Sequence, residues 1–227
     1  MPHAPAKSVA LLNIGQSQSE PDPDWTQLPH DIIDVSPLDA YTLKELLTKF
    51  NPLEGEMPIS STTKSGDRVL VSKSLLVPEL NKAIQECEAK GMQTIVLDCT
   101  GDFDLVTSTA KVILPGQVLY QRELQREWMD SEKVAVLVPV DEQQSFLTER
   151  WIGRLPKTVK VKAFTLSPKA SLDEATNSAK KLVSEGYCAA IMDCFGYSVA
   201  QGKAVEEAGL DVFLAKGVTI DALAGEY

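Results

Sequence analysis

An apolar run that ends in Asp-Cys-x-Gly occurs twice in this chain. The first is TIVLDCTG at residues 94–101 and the second is AAIMDCFG at 189–196, so the two cysteines lie 95 residues apart. Each is preceded by another apolar run, VALL at 9–12 in the first case and VAVL at 134–137 in the second. The shared order of these runs indicates an internal duplication of a unit built from strands and helices.

The segments between these runs alternate between strand and helix patterns. Continuous apolar runs such as 8–14 and 133–140 are typical of strands buried in a parallel sheet, and helix-like stretches separate them. The alternation predicts an α/β fold with right-handed crossovers. We expect two Rossmann-like parallel-sheet lobes related by pseudo-twofold symmetry. Residues 1–120 would form the first lobe, completed by 211–227, and residues 121–210 would form the second.

The sequence also predicts several local structures. The segment ISSTTKSGDRVLVS is typical of a β-hairpin with residues 65–67 at its tip. This insertion makes the first copy of the repeated unit longer than the second. Gly91 and Gly186 would each end a helix, and Ser171 with Glu174 would form a capping box. The helix after the hairpin would carry a proline, Pro78, in its first turn. One face of that helix would be buried, formed by Leu76, Leu80, Ala83, Ile84 and Cys87.

The composition excludes several classes of function. A net charge of −10 disfavours nucleic acid and an anionic membrane surface as partners. No apolar run approaches the length of a membrane span, and the first residues lack the layout of a signal peptide, so we expect a cytoplasmic protein. Four cysteines and two histidines without ligand-like spacing predict neither a disulfide framework nor a metal site.

Cys99 and Cys194 are the candidates for chemistry, because ligands bind beyond the carboxyl ends of strands in open α/β sheets. Two lobes that face each other would bring these cysteines to one cleft from opposite sides. One thiolate could remove a proton from a carbon beside a carboxylate or carbonyl, and the other thiol could return a proton to the opposite face. This reaction inverts a stereocentre and needs no cofactor. A purely structural role is the alternative, because cysteine is among the most buried residue types.

Backbone donors near the two cysteines would stabilise the negative charge of the reaction intermediate. These donors are the N–H groups of Thr100, Gly101, Phe195 and Gly196. We expect a helix to begin just after each cysteine and to favour an anion, with Lys73 as a further donor. The expected ligand is therefore a small carboxylate or an acidic imide. Asp98 and Asp193 either orient the thiols or cap turns.

The sequence resembles the AroM family over nearly its whole length. The segments that carry the resemblance are VALLNIG, VSKSLLVPELNKAI, the VPV loop and IMDCFGYS, and the most specific are VLVPV and IMDCFG. That family belongs with the cofactor-independent aspartate/glutamate racemase superfamily. The resemblance implies a pair of Rossmann-like lobes, one site with a cysteine from each lobe, and an isomerase without a cofactor.

The resemblance also implies roles for individual residues. Cys99 and Cys194 match the acid/base cysteines, and Thr100 matches a residue that commonly binds a substrate carboxylate. Phe195 departs from the best-known members, which commonly carry threonine there, and this departure suggests an apolar contact or a different ligand. Weaker matches lie on the first strand-end loop of each lobe, at Gly15, Gln16, Val140 and Asp141.

Three functions follow as hypotheses. The first is a racemase or epimerase of a small acid or a cyclic amide such as a hydantoin. The second is isomerisation or decarboxylation on the same scaffold, with Cys194 as the main acid/base residue. The third is a non-catalytic protein that binds a small molecule. A homodimer is a further expectation, and the sequence does not select a substrate.

Overall fold

A computed structural model of the chain describes residues 7–123 and 126–225. Within these residues the chain divides into two lobes, and the main division falls between Leu114 and Pro115. Each lobe contains one four-stranded sheet in which all strands run parallel. The predicted α/β class with two Rossmann-like sheets is therefore confirmed.

The elements are numbered in chain order. The strands are β1 (Lys7–Asn13), β2 (His30–Val35), β3 (Ile59–Thr62), β4 (Arg68–Val71), β5 (Thr94–Asp98), β6 (Lys111–Ile113), β7 (Lys133–Val138), β8 (Lys160–Thr165), β9 (Ala189–Met192) and β10 (Asp211–Leu214). The α-helices are α1 (Leu43–Lys49), α2 (Lys73–Ala89), α3 (Pro115–Glu123), α4 (Gln144–Arg154), α5 (Leu172–Ser184), α6 (Val199–Glu207) and α7 (Ala215–Ala224). Short 3₁₀ helices lie at Pro23–Gln27, Pro37–Ala40 and Asp141–Gln143. None of these described helices is long and apolar enough to cross a bilayer.

The two sheets share one strand order. The first is arranged β2-β1-β5-β6 and the second β8-β7-β9-β10, so each lobe places its strands in the order second, first, third, fourth. The registers match as well. Val9 pairs with Thr94 in the first sheet, and Val134 pairs with Ala189 in the second. Val9 corresponds to Val134 and Thr94 to Ala189 in the two copies of the repeated unit, so the repeat that the sequence indicates is matched by strand order and by register.

The last strand corrects part of the predicted division, in which residues 211–227 complete the first lobe: the strand lies in the second lobe, and only the end of α7, from Leu223, groups with the first. β10 pairs with β9 over its whole length, so residues 211–214 belong to the second sheet and do not complete the first lobe. Gly202 of α6 allows this strand to pack closely, because a Cβ at that position would lie 3.0 Å from Leu214 Cδ2. α3 also contacts β10 and lies in the second lobe, which moves the boundary from residue 120 to residue 114.

The predicted face of α2 is confirmed, but its starting point is not. The helix begins at Lys73, because the Ser72 side chain caps it by accepting the N–H of Leu75. Pro78 is therefore the sixth helical residue and lies beyond the first turn. The buried side chains of α2 are Leu76, Leu80, Ala83, Ile84 and Cys87.

Other local predictions are also confirmed. Gly91 and Gly186 follow helix ends with φ values of 82° and 84°, the left-handed conformation that glycine adopts without a steric penalty. The capping box of Ser171 and Glu174 begins α5. β3 and β4 form the predicted hairpin, and Gly66 at its tip has a φ of 82°.

The first crossover differs between the lobes. In the second lobe, β7 and β8 are joined through α4, whose Trp151 is fully buried. In the first lobe, the prolines and acidic residues of SEPDPDW exclude a long helix, and a 3₁₀ helix capped by Asp22 carries Trp25 instead. Trp25 is buried too, so each lobe places an indole in its core at the same stage of the chain.

The long loop after β5 is fastened to the end of α2. The Glu88 carboxylate accepts hydrogen bonds from the Ser108 and Thr109 hydroxyls and from the backbone N–H groups of Thr109 and Ala110. Hydrogen bonds from Thr109 and Ser108 lower the pKa of Glu88 from its ordinary value of 4.5 to about 2. Asn81 of the same helix accepts the N–H of Val106. This loop begins at Cys99, so α2 determines the path of the chain after that cysteine.

We expect Glu88→Gln to lower the free energy of unfolding at pH 7, because a neutral amide is a weaker acceptor than a carboxylate. The folded-state pKa is depressed, so the stabilisation is present above about pH 4.5 and is lost as the pH falls through about 2. Urea denaturation between pH 7 and pH 2 should show the wild-type and variant curves converging at low pH. Glu86→Gln is the control, since that carboxylate lies in an exposed pair with Lys82. A wild-type advantage that persists unchanged at pH 2 would contradict this account.

Candidate functional site

Cys99 lies at the carboxyl edge of the first sheet. It directly follows β5, whose last residue, Asp98, is level with Asn13 of the neighbouring strand β1. The cysteine is 7% exposed, and its Sγ accepts the backbone N–H of Gly101 at 3.3 Å. The glycine is needed for the close approach of the Phe103 ring, because a Cβ at residue 101 would lie 2.8 Å from that ring.

Cys194 occupies the corresponding place in the second lobe. It follows β9 at the carboxyl edge, and its Sγ accepts the backbone N–H of Gly196 at 3.4 Å. The thiol is partly exposed, whereas Cys99 is buried. Gly196 packs against Pro168, and a Cβ there would lie 3.3 Å from the Pro168 side chain and 3.5 Å from the sulfur.

The two cysteines therefore share one local geometry. In each case the chain turns back after the strand so that the N–H two residues later is directed at the sulfur. A hydrogen bond donated to sulfur favours the thiolate over the thiol, and the thiolate is the reactive form. Equivalent strand ends of the two lobes therefore carry the same residue type and the same turn.

The predicted helix start is confirmed after Cys194 but is wrong after Cys99. Within the described chain, Cys99 is followed by a loop from residue 99 to residue 110. After Cys194 a turn intervenes, and α6 begins only at Val199. A capping box formed by Ser198 and Gln201 already occupies part of the first turn of α6. The donors nearest each sulfur are therefore those of the turn, not those of a helix terminus.

Asp193, directly before Cys194, is part of a buried ion pair. The residue is 1% exposed, and its carboxylate accepts hydrogen bonds from the Arg150 guanidinium and from Trp151 Nε1, the latter at 2.6 Å. Both partners lie on α4, so this contact fixes the end of β9 to that helix. Asp193 therefore positions the cysteine turn through the scaffold. Asp98 is the counterpart in the first lobe, where a 3₁₀ helix replaces α4, so the two aspartates have different surroundings.

Gln16 and Gly15 join the loop after β1 to neighbouring segments. The Gln16 amide donates to the carbonyl oxygens of Leu38 and Tyr41 and accepts the N–H of Lys64. A Cβ at Gly15 would lie 2.7 Å from the Thr62 carbonyl oxygen of the hairpin, which explains the glycine. Both residues lie near the strand end as predicted, and their observed contacts are internal.

The counterparts in the second lobe, Val140 and Asp141, also have internal contacts. Val140 is 2% exposed and precedes the 3₁₀ helix that leads into α4. The Asp141 carboxylate accepts hydrogen bonds from the Thr165 hydroxyl and from Gln144 Nε2. These contacts join the start of α4 to the end of β8. Of the other predicted residues, Thr100 and Phe195 are buried and Lys73 is a partly exposed residue at the start of α2.

Tyr197 and Gln201 support the second cysteine turn and were not predicted. The Tyr197 hydroxyl donates to the Leu166 carbonyl oxygen at 2.6 Å, and burial raises its pKa well above 10, with Cys194 and Asp193 adding to the shift. Gln201 donates to the carbonyl oxygens of Pro168 and Ala170. Both side chains fasten the loop after β8 beside Cys194. Tyr197 lies two residues before α6 and Gln201 is its third residue, and no sequence pattern at either place indicates this role.

The fold and the site define a two-lobed α/β protein with a cysteine after the third strand of each parallel sheet. The chain belongs to the AroM protein family, whose model matches residues 9–225. It is similar in structure to glutamate racemase isoform RacE1 from Bacillus anthracis, at 11% identity and a TM-score of 0.49, covering 97% of this chain and 81% of that one. It is also similar to the periplasmic component of an ABC-type sugar transport system from Hahella chejuensis, at 11% identity and a TM-score of 0.38, covering 96% and 84%. No curated protein matches the sequence.

The side chains around the two cysteines also bear on metal binding. Among the described residues, no group of three or more His, Cys, Asp or Glu side chains is arranged to hold a metal ion. At each strand end a cysteine sulfur accepts a backbone N–H.

We expect iodoacetamide to alkylate Cys194 severalfold faster than Cys188 at neutral pH. Both thiols are partly exposed, so access is comparable. The sulfur of Cys194 accepts an N–H, whereas the Cys188 thiol donates to the Lys133 carbonyl oxygen, and burial and then Glu132 raise the pKa of Cys188. Peptide mapping by mass spectrometry at several reaction times measures both rates. Equal rates would show that the turn does not activate the sulfur.

Arg150→Met should lower the free energy of unfolding by about 3–5 kcal/mol, because it leaves the buried Asp193 carboxylate without its cationic partner. Adding Asp193→Asn to this variant should restore part of the loss, since the uncompensated charge is then removed. Chemical denaturation of the two single variants and the double variant measures the coupling. Additive effects of the two substitutions would contradict a direct ion pair.

Proposed function

We propose that this protein is a cofactor-independent racemase or epimerase of a small carboxylate or cyclic amide, with Cys99 and Cys194 as its acid/base pair. One observation carries the proposal. Both lobes present a sulfur at the carboxyl end of the equivalent strand, and each sulfur accepts the N–H of the glycine two residues later. Two activated thiols, one from each copy of a duplicated unit, are what proton transfer to opposite faces of one carbon requires.

The proposed reaction has two proton transfers. The thiolate of one cysteine removes the proton from the carbon beside the carboxyl or carbonyl group and becomes a thiol. The electron pair left on carbon delocalises onto the adjacent oxygen, where backbone N–H groups of the two turns stabilise the charge. The thiol of the other cysteine then donates its proton to the opposite face of the carbon and becomes a thiolate. In the reverse direction the two cysteines exchange roles.

The surroundings of each sulfur support this chemistry in different ways. Cys99 is nearly enclosed, with Phe103 packed over its turn, and a dry environment strengthens electrostatic stabilisation of a carbanion. Cys194 is partly exposed, and Asp193, Tyr197 and Gln201 fix its turn to the scaffold. Fixed donors and acceptors limit the reorganisation needed when charge develops.

The unequal exposure of the two thiols favours a second candidate function. A reaction that protonates or deprotonates only one face of the substrate, such as an isomerisation or decarboxylation, needs a single thiol. Cys194 is the more accessible of the two and would serve that role. This candidate differs from racemisation in one respect, because Cys99 would not exchange a proton with the substrate.

We expect the wild-type protein to exchange a substrate Cα–H for deuterium in D₂O and to form both enantiomers. A panel of amino acids, hydroxy acids and hydantoins should be followed by proton NMR and chiral chromatography. Cys99→Ser and Cys194→Ser should each lower the racemisation rate by at least about a hundredfold, because serine is a far weaker acid at neutral pH. Circular dichroism would verify that both variants remain folded.

Cys188→Ser is the matched control, since that thiol is also partly exposed but belongs to neither turn. It should racemise at the wild-type rate. Exchange of deuterium without inversion in Cys99→Ser, at an undiminished rate, would favour the single-thiol candidate. Wild-type racemisation by both turn variants would exclude the two-thiol mechanism.

A further inference from the structure

The ring of Pro168 lies beside the sulfur of Cys194. A Cβ at Gly196 would lie 3.3 Å from Pro168 Cβ, 3.4 Å from Pro168 Cγ and 3.5 Å from Cys194 Sγ. The proline ring and the sulfur therefore flank the same point of the turn, with a gap at that point no wider than a methyl group. Both residues are partly exposed. A ligand that reaches this sulfur from solvent thus comes close to the proline ring.

The loop that carries Pro168 is held in one conformation. Residues 167–170 form a β-turn closed by a hydrogen bond of 2.9 Å from the last N–H to the first carbonyl oxygen. Pro168 occupies the second position of this turn, which suits its fixed φ. Gln201 donates to the carbonyl oxygens of Pro168 and Ala170 at 3.1 and 2.8 Å, and the Tyr197 hydroxyl fixes the residue directly before the turn. The ring cannot move away from the sulfur without breaking these hydrogen bonds.

The cysteine turn itself does not require a ring from this loop. In the first lobe the turn at Cys99 forms the same hydrogen bond from N–H to sulfur. The ring against its glycine, Gly101, is that of Phe103, which belongs to the segment after the cysteine. In the second lobe the ring comes from the loop after β8. Pro168 is therefore a feature of the surroundings of Cys194 and is not needed to form the turn.

We propose that Pro168 is a specificity-determining residue that limits the bulk of the substrate beside Cys194. This inference rests on the proposed function of the cysteines and narrows it. The substituent on the reacting carbon would be small and unbranched, because a larger group would overlap the ring. A wall that cannot yield selects strongly even when the overlap involves only one or two carbon atoms. Pro168 would touch the substrate and take no part in the proton transfers.

Size selection at Cys194 tests this proposal without any need for turnover. Methyl and benzyl methanethiosulfonate are neutral reagents that transfer their S-alkyl group to a thiolate and release methanesulfinate. Compared with N-acetylcysteine in solution, Cys194 of the wild-type protein should favour the methyl reagent by at least about tenfold. Pro168→Ala removes two ring carbons and keeps the carbonyl oxygen, so it should lower this preference severalfold. Peptide mapping by mass spectrometry at short reaction times measures both rates.

Pro156→Ala is the matched control, because Pro156 is an exposed proline just before β8, at the opposite edge of the same sheet. It should leave the preference of Cys194 unchanged. Gly196→Ala provides a change in the opposite sense. Its added methyl group would occupy the gap between the ring and the sulfur, so it should increase the preference for the methyl reagent.

A wild-type preference no greater than that of N-acetylcysteine, or an unchanged preference in a folded Pro168→Ala, would overturn the proposal. The two proposals can also fail separately. Size selection that depends on Pro168, without Cα deuterium exchange in the substrate panel, would retain the wall and reject the racemase. Deuterium exchange whose relative rates for small and bulky substrates are the same in the wild-type protein and in Pro168→Ala would do the reverse.

Discussion

Parallel pairing of the first and third strands of each lobe is the constraint on which the candidate site depends. β5 lies beside β1 and β9 beside β7 in the same register, so both strands deliver their next residues to the same edge of their own sheets. A shift of one residue in either register would turn the cysteine towards the opposite face of the sheet. The turn that follows then directs one N–H at each sulfur. The strand register and this turn are the only features that both lobes must share for the proposed chemistry.

The lobes differ in what surrounds that shared turn. In the second lobe a full helix, α4, supplies Arg150 to a buried aspartate and stabilises the strand end by an ion pair. The first lobe has a short 3₁₀ helix at this stage and instead carries a hairpin, which contacts the loop after β1 at Gly15. A duplicated scaffold with such unequal supports allows one thiol to be enclosed and the other to remain accessible.

Buried glutamines illustrate how both lobes solve one structural problem with different parts of the chain. The loop after the second strand of a lobe leaves backbone carbonyl oxygens that need donors. In the first lobe Gln16, from the loop after β1, donates to two of them; in the second lobe Gln201, from α6, donates to two of the equivalent loop. Gln16 is a predicted substrate contact, and its amide makes three hydrogen bonds within the protein.

The sequence by itself determined the α/β class, the duplication, the buried face of α2 and the two cysteine positions, because these depend on hydrophobic periodicity and on residues adjacent in the chain. Only the tertiary structure decided that residues 211–214 pair with β9, that Asp193 pairs with Arg150, and that Lys216 is buried. These contacts join residues that are distant in sequence. Periodicity shows that a segment is a strand or a helix, but the neighbour that it selects depends on the packing of the whole sheet.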